Sequence, residues 1–179
     1  MNWLFFALLA PLIYAIVVDI DKYILEKEIP DYRGMPIYSA IVAPILGIFL
    51  WVFTGMPLLN FKDTVLIIFT GMLTVWGLAS YFKALSFEEA SKVTILFQIT
   101  PVMTLIMAAL FLKESITLNQ LLGFLLILFA SMGISFNKKV VGFSFSSSFS
   151  LILLTDFLWA SAFVLFKFVV DGNSFFKVI

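Results

Sequence analysis

The chain has no cysteine and no histidine among its 179 residues. Without these side chains it can form no disulfide, no thiolate nucleophile, no imidazole base and no metal site with Cys or His ligands. We therefore expect no catalytic residue of these types, no metal and no cofactor. The 11 basic and 11 acidic residues give a net charge of zero, and no stretch rich in Lys and Arg follows an apolar run. Nucleic acid is therefore not an expected partner.

Charged residues are also scarce, at 12% of the chain, whereas hydrophobic residues reach 63% and include 22 phenylalanines. Soluble domains carry about 25% charged residues, and a helix needs about 20 apolar residues to cross a bilayer. Six stretches meet this length: 3–24, 36–54, 64–86, 91–112, 118–136 and 149–170. The sequence predicts an all-α integral membrane protein, a polytopic bundle of about six transmembrane helices. We expect the protein in the cell membrane, which in bacteria is the inner membrane.

Two segments of the chain align without gaps at an offset of 145 residues. They are "LIYAIVVDIDKY" (12–23) and "FLWASAFVLFKF" (157–168), and the alignment pairs Tyr14 with Trp159 and Lys22 with Lys167. A repeated unit of five spans would be inverted in its second copy, which is the architecture of many transporters. The offset predicts a first repeat over 1–137, a linker over 138–148 and the start of a second repeat over 149–179. A complete ten-helix (5+5) protein, two units of 145, would extend about 110 residues beyond Ile179.

The fourth predicted span carries a polar strip in an otherwise apolar helix. Ser91, Thr94, Gln98 and Pro101 follow one another at helical spacing and share one face. A proline has no N–H, so Pro101 should kink the helix and leave the carbonyl of Phe97 without its helical hydrogen bond. Such a carbonyl must face protein or water. The strip either lines a substrate cavity or hydrogen-bonds to neighbouring helices.

The third predicted span places Trp76, Ser80 and Lys83 on one face. A lysine at the bilayer centre costs about 2.5 to 3.5 kcal/mol. Lys83 is either a cation that faces the cavity and binds an anionic or zwitterionic substrate, or a side chain that reaches the membrane surface from the helix end.

Several polar residues have structural interpretations. At the end of the first span, Asp19 is expected to form an ion pair with Lys22. Asp156 is expected near the N-terminus of the sixth span, where the helix dipole favours a carboxylate. Glu114 follows the C-terminal end of a helix and needs a cation, for which Lys113 and Lys62 are the predicted partners.

The fifth span begins with structural signals. "TLNQ" fits a capping box in which Thr117 and Gln120 exchange hydrogen bonds. Gly123 lies on a small-residue surface that permits close helix packing.

The stretch from Tyr81 to Ile134 resembles the EamA domain of the drug/metabolite transporter superfamily. The resemblance rests on an aromatic-x-Ala-Leu helix end, a proline in helix four and a Glu, Thr, Gln, Gly series; these residues are Tyr81, Ala84, Leu85, Pro101, Glu114, Thr117, Gln120 and Gly123. It implies transport of a metabolite, amino acid or drug through a central cavity. The predicted substrate-binding residues are Gln98, Thr94, Ser91, Lys83, Trp76, Tyr14 and Trp159.

The leading hypothesis is a secondary transporter, or a fragment of one, that works by alternating access on a small-molecule substrate within the lipid bilayer. Proton coupling requires a titratable carboxylate inside the membrane, and only a buried Asp19 or Asp156 would supply one; otherwise exchange or uniport remains. The alternative is a half-sized transporter or non-transporting assembly partner that acts as an oligomer, such as a homodimer. A membrane enzyme is not expected, because the adjacent Glu88 and Glu89 point about 100° apart on a helix and cannot pair.

Overall fold

The computed structural model describes residues 3–29, 31–53, 58–135 and 147–173 of the chain. Within these ranges the backbone forms helices and no strand, as predicted. The helices are α1 (Trp3–Lys27), α2 (Gly34–Phe53), α3 (Phe61–Phe87), α4 (Ala90–Leu96), α5 (Ile99–Phe111), α6 (Leu118–Ser135) and α7 (Ser147–Gly172). Together α4 and α5 occupy the predicted fourth span.

Four of the described stretches are long and apolar enough to cross a bilayer. They are Gly34–Phe53, Phe61–Phe87, Ala90–Phe111 and Ser148–Gly172. The protein is therefore an all-helical, multi-pass membrane protein. Most of the predicted linker lies outside the described residues, and its last two residues belong to α7, which begins at Ser147.

The centre of the bundle is the pair formed by α3 and α7, with α5 packed against α7. The indole Nε1 of Trp159 donates to the carbonyl of Thr74 at 3.2 Å. Near the opposite ends of the same helices, the amide of Asn173 donates to Asp63 at 2.7 Å. Contacts between later residues of α7 and earlier residues of α3 show that the two helices run antiparallel.

Helix α1 runs in the same direction as α3. The hydroxyl of Tyr81 donates to Asp21 at 2.9 Å, and Lys22 donates to the carbonyl of Leu85 at 2.8 Å. Because α7 is antiparallel to α3, it is also antiparallel to α1. The two segments that align at an offset of 145 residues therefore run in opposite directions through the bundle.

The predicted ion pair between Asp19 and Lys22 is wrong. Lys22 instead lies 3.4 Å from Glu26, one turn further along α1, while Asp19 is exposed. The carbonyl of Leu85 provides a further acceptor for the Lys22 ammonium. Lys22 therefore ties α1 to the end of α3, a contact between helices that spacing along α1 alone does not reveal.

The predicted capping box at the start of α6 is present. The backbone N–H of Thr117 donates to the side-chain oxygen of Gln120 at 3.0 Å, and the N–H of Gln120 lies 3.4 Å from the Thr117 hydroxyl. The predicted close packing at Gly123 is wrong, because a Cβ added there would meet nothing within 4 Å. In the described part of the chain, no neighbour presses on α6 at this position.

We predict that Thr117→Ala lowers the free energy of unfolding by about 1 kcal/mol, the usual cost of losing a helix cap. The cause is the loss of the hydroxyl that accepts from Gln120. Thermal unfolding in detergent measures the effect, with the exposed neighbour Ser115→Ala as the matched control. Equal melting temperatures for the two variants would show that the cap contributes nothing to stability.

Candidate functional site

The fourth span is interrupted at Phe97 and Gln98, which form a turn between α4 and α5. The backbone N–H of Gln98 donates to the carbonyl of Ile95 at 3.2 Å, and the N–H of Thr100 donates to the carbonyl of Phe97 at 3.1 Å. These three-residue spacings are those of a 3₁₀ turn. Pro101 follows in the first turn of α5, where a missing N–H costs nothing because that group has no partner within the helix.

One expectation for this turn is wrong. The carbonyl of Phe97 is not left bare by Pro101, because it accepts the hydrogen bond from Thr100. The chain satisfies its backbone by tightening the turn, so the polar groups available for a ligand here are side chains.

Aromatic side chains from three helices and from the turn itself meet at the interruption. We call this group the aromatic cluster; its members are Tyr14, Tyr81, Phe82, Phe97 and Trp159. Phe97 stacks on Trp159 with 5.4 Å between ring centroids and 24° between planes. The Tyr81 ring lies 5.2 Å from Phe97, and Tyr14 approaches Phe97 edge-on at 6.4 Å. Aromatic pairs at these separations attract each other beyond their burial.

The cluster brings together two residues that the repeat alignment pairs. Tyr14 on α1 and Trp159 on α7 both contact the Phe97 ring, although their helices run in opposite directions. The aligned aromatic side chains thus approach the interruption from two sides. This arrangement is expected of an inverted pair of helices around a central site.

A buried carboxylate lies next to the same turn. Asp156 on α7 has no solvent exposure, and its Oδ1 accepts a hydrogen bond from the Thr100 hydroxyl at 2.5 Å. Its other oxygen, Oδ2, is buried and has no hydrogen-bond partner among the described residues. The expectation that a helix N-terminus stabilises Asp156 is wrong, because α7 begins at Ser147 and Asp156 lies in its third turn.

The predicted substrate-binding residues of the fourth span differ in their exposure to solvent. Gln98 is half-buried, directly in the turn, and its side chain makes no capping bond to α5. Thr94 is half-buried and donates to the carbonyl of Ala90 within its own helix, whereas Ser91 is exposed. The polar strip therefore extends from the turn towards one end of the bundle.

The predicted residues of α3 do not lie on its buried face. That face presents Leu73, Gly77 and Tyr81 at helical spacing. Trp76 is 60% exposed and Lys83 is half-buried, so neither joins the aromatic cluster. They lie on a side of α3 that another helix or the lipid can cover.

Polar contacts join helices at both ends of the bundle. At one end, hydrogen bonds of Tyr81 and Lys22 bind α1 to α3. At the other, Lys167 on α7 forms an ion pair with Glu114, which follows α5. The prediction that Lys113 or Lys62 pairs with Glu114 is therefore wrong. The true partner is distant in the chain.

Within the described ranges, several cavities lie near the Glu114 end. One of 560 Å³ is lined by polar side chains that include Lys113, Glu114 and Lys167. Another of 380 Å³ lies between Lys62 and Glu114. A third, of 520 Å³, is mostly apolar and reaches Met107 and Ser161 between α5 and α7. Among the described residues, these cavities lie between α5, α7 and the beginning of α3.

Sequence reasoning missed Phe97, Thr100 and the burial of Asp156. Phe97 is one of 22 phenylalanines, and nothing in its surroundings in the sequence distinguishes it. Asp156 offered a usable signal, since it is an acid within an apolar run of more than 18 residues.

Comparison with known proteins gives two matches. Residues 1–136 match the EamA-like transporter family. An uncharacterized protein of Methanocaldococcus jannaschii is 31% identical over 129 residues, which cover 68% of this chain and 87% of the relative. No solved structure matches the chain.

Proposed function

The chain belongs to the EamA-like transporter family, and from this membership we propose that it moves a small organic solute across the cell membrane by alternating access. Metabolites, amino acids and drugs are the proposed solute classes. Members of the family are transporters and not enzymes, so no catalytic residue is assigned. The side chains at the interrupted span are the proposed transport machinery.

The observation that carries the proposal is the interruption at Phe97 and Gln98, surrounded by aromatic rings. A break in a membrane helix places side chains of adjacent turns around one point and is tolerated where it faces protein or a cavity. Aromatic faces bind apolar and cationic parts of a solute, and the half-buried amide of Gln98 can donate and accept. We assign Tyr14, Gln98 and Trp159 to the solute site.

The polar strip and the outer face of α3 complete the proposed path. Ser91 and Thr94 lie between the turn and the end of the bundle where α4 begins. Lys83 lies near the end of α3 on the same side, because α3 and α4 are joined by a short connection. We propose that Lys83 attracts the negative part of a solute there and that Trp76 lines the outer face of the path.

Gln98→Ala and Lys83→Ala are predicted to reduce solute uptake into proteoliposomes. Losing one hydrogen bond of about 0.5–1.5 kcal/mol should weaken apparent affinity by roughly 2- to 13-fold. Leu126→Ala, which truncates a side chain that is 70% exposed on α6, is the matched control. Counterflow of radiolabelled amino acids, amines and sugars identifies the solute first. Wild-type affinity in both variants would remove these residues from the site.

Alternating access requires that each end of the bundle opens in turn. We propose that the ion pair between Glu114 and Lys167 closes one end, since it joins the segment after α5 to α7. At the other end the bond from Tyr81 to Asp21 joins α3 to α1. The aligned lysines Lys22 and Lys167 lie at opposite ends of the bundle, as an inverted pair would place them.

Charge reversal tests the proposed closure at the Glu114 end. Glu114→Lys and Lys167→Glu should each slow counterflow severalfold, because two like charges meet where an ion pair stood. The double variant restores the pair with its charges exchanged and should recover most of the rate. A double variant as slow as the slower single variant would show that the pair does not act as a unit.

A second function is favoured by the length of the relative from M. jannaschii. Since 87% of that protein aligns with only 68% of this chain, the relative is the shorter of the two. A protein of about one predicted repeat can complete a transport path only with another subunit, or serve as an assembly partner. Native mass spectrometry of the purified protein distinguishes the two proposals: a homodimer favours the half-sized transporter, and a monomer with solute counterflow favours the first proposal.

A further inference from the structure

We propose that Asp156 is a proton-binding site within the membrane and that it couples solute transport to proton movement. The coupling rests on the proposed transport function, whereas proton binding does not depend on it. The inference comes from the geometry of the carboxylate, its surroundings and its position between two helices.

The carboxylate of Asp156 is completely buried but only half satisfied. Its side chain has no solvent exposure, Oδ1 accepts from Thr100, and Oδ2 has no partner within the described ranges. An ionised carboxylate without water or a counter-ion is very costly in an apolar interior, and such a group neutralises instead. Oδ2 is the free oxygen on which a proton can reside.

In the described part of the chain, the elements packed against α7 supply no cation to Asp156. Helix α5 contains no charged residue, and α4 contains Lys92, which forms an ion pair with Glu88. The charged residues of α3 are Lys62 and Asp63 at its beginning and Lys83 near its end.

The titratable side chains of the aromatic cluster beside Asp156 are phenolic. Tyr14 on α1 contacts Phe97, which stacks on Trp159, and Tyr81 on α3 contacts Trp159 directly, one turn further along α7 than Asp156. The Asp21 carboxylate of α1 accepts the hydroxyl of Tyr81. The ion pairs of the described residues join Lys22 to Glu26, Lys92 to Glu88 and Lys167 to Glu114, so none includes Asp156. A proton is thus the positive charge best able to neutralise this site.

The position of Asp156 explains how its proton can be linked to the solute. Trp159, three residues further on the same face of α7, stacks on Phe97 at the interruption. Thr100, which donates to Asp156, lies in the first turn of α5 immediately after that interruption. When the carboxylate releases its proton, the ionised group requires water, and hydration must separate α7 from α5 beside the aromatic cluster.

The proposed cycle is balanced in protons. Asp156 takes one proton from water on one side of the membrane, forming an O–H bond at Oδ2 without loss of its bond to Thr100. The neutral side chain is compatible with the closed packing of the present structure. After the bundle opens to the other side, the same O–H bond breaks and the proton passes to water there.

Infrared spectroscopy of the purified protein in lipid tests proton binding without any solute. We expect the carbonyl stretch of a protonated carboxylic acid at neutral pH, its loss in Asp156→Asn, and its persistence in Asp19→Asn, which alters an exposed acid of α1. Thr100→Val removes the hydrogen-bond donor and should shift the band. An unchanged band in Asp156→Asn, or a wild-type spectrum that shows only ionised carboxylates at neutral pH, would overturn the proposal.

A chemical probe provides the second measurement. Dicyclohexylcarbodiimide reacts with protonated carboxylic acids in apolar surroundings, and mass spectrometry should locate its adduct on Asp156 of the wild-type protein. Asp156→Glu keeps a carboxylic acid and should remain reactive even if Asp156→Asn fails to fold. An adduct on Asp19 with none on residue 156 in both proteins would contradict the proposal.

The same preparations separate the two proposals. If the band disappears in Asp156→Asn but no solute shows counterflow, proton binding stands and the proposed transport fails. If a solute shows counterflow and a pH gradient does not drive its accumulation, coupling through Asp156 fails and transport stands. If both proposals hold, a pH gradient should drive solute accumulation in the wild type. Asp156→Asn should then show solute counterflow without accumulation.

Discussion

Replacing Gly77 with leucine is expected to prevent stable assembly of the bundle. A Cβ added to Gly77 would overlap the indole of Trp159, so this side chain packs against α3 in a space that a glycine at 77 leaves open. Overpacking of this kind costs about 1–3 kcal/mol and sometimes more. Because the pair of α3 and α7 is the centre of the bundle, we expect a large fall in melting temperature and in the yield of monodisperse protein.

Gly71→Leu is the matched control for this prediction. Gly71 lies on the same helix, and a Cβ there would meet nothing within 4 Å. Gly77→Ala combined with Trp159→Ala provides a second test, because the smaller side chain at 159 removes the overlap and should recover part of the stability lost in Gly77→Ala. If Gly77→Leu and Gly71→Leu melt alike, the close contact between Trp159 and Gly77 is refuted.

Trp159→Ala is the second substitution with a large expected effect. The change removes the ring stacked on Phe97 and the hydrogen bond to Thr74. Trp159 is half-buried against the core, so we expect a cost near the lower end of the about 3–5 kcal/mol that truncation of a buried tryptophan carries. If Trp159 also forms a wall of the solute site, counterflow should fall below detection. Trp159→Phe keeps an aromatic face and should retain folding with weaker solute affinity.

The control for Trp159→Ala is Phe163→Ala, which removes an aromatic side chain from a position that is 56% exposed on the same helix. Surface substitutions usually change stability by less than about 0.5 kcal/mol. Circular dichroism during heating compares the two variants, and counterflow at a temperature where both are folded separates binding from stability. A Trp159→Ala protein that melts like Phe163→Ala would contradict the central position of the cluster.

Features that depend on neighbouring residues are predictable from the sequence. The capping box of Thr117 and Gln120 is local, and the structure has it as predicted. The helices themselves follow from the length of apolar runs, and α2 and α6 match two predicted spans within about three residues. The lengths of apolar runs and the polar residues between them are enough to locate each helix by itself.

Contacts between distant helices are not predictable in the same way. The sequence assigns Glu114 to lysines close in the chain or on neighbouring spans, but its partner Lys167 lies across the bundle. Helical spacing pairs Asp19 with Lys22, yet Lys22 contacts Glu26 and Leu85. Spacing of three and four residues identifies several partners equally well, and packing between helices selects among them.

The candidate site is predictable in part. Pro101 anticipates the interruption of the fourth span, and the offset of 145 residues pairs Tyr14 with Trp159, which both contact Phe97 in the structure. The apolar run around Asp156 indicates that this acid lies within a span, but its complete burial depends on how α7 packs against its neighbours. Asp156 lies in the third turn of α7, beyond the first turn in which the helix dipole favours a carboxylate.

Accessibility of a thiol at residue 98 tests whether the interrupted span forms a site that opens to each side of the membrane in turn. The chain has no cysteine, so Gln98→Cys places a single thiol in the protein without further change. Two controls define the assay. Leu126→Cys should be labelled from neither side, since Leu126 is 70% exposed on the apolar α6. Ser115→Cys should be labelled from one side, since Ser115 is exposed at the Glu114 end. We predict that a membrane-impermeant thiol reagent labels Gln98→Cys from both sides of oriented vesicles. Labelling from one side alone, or from neither, would contradict alternating access at this site.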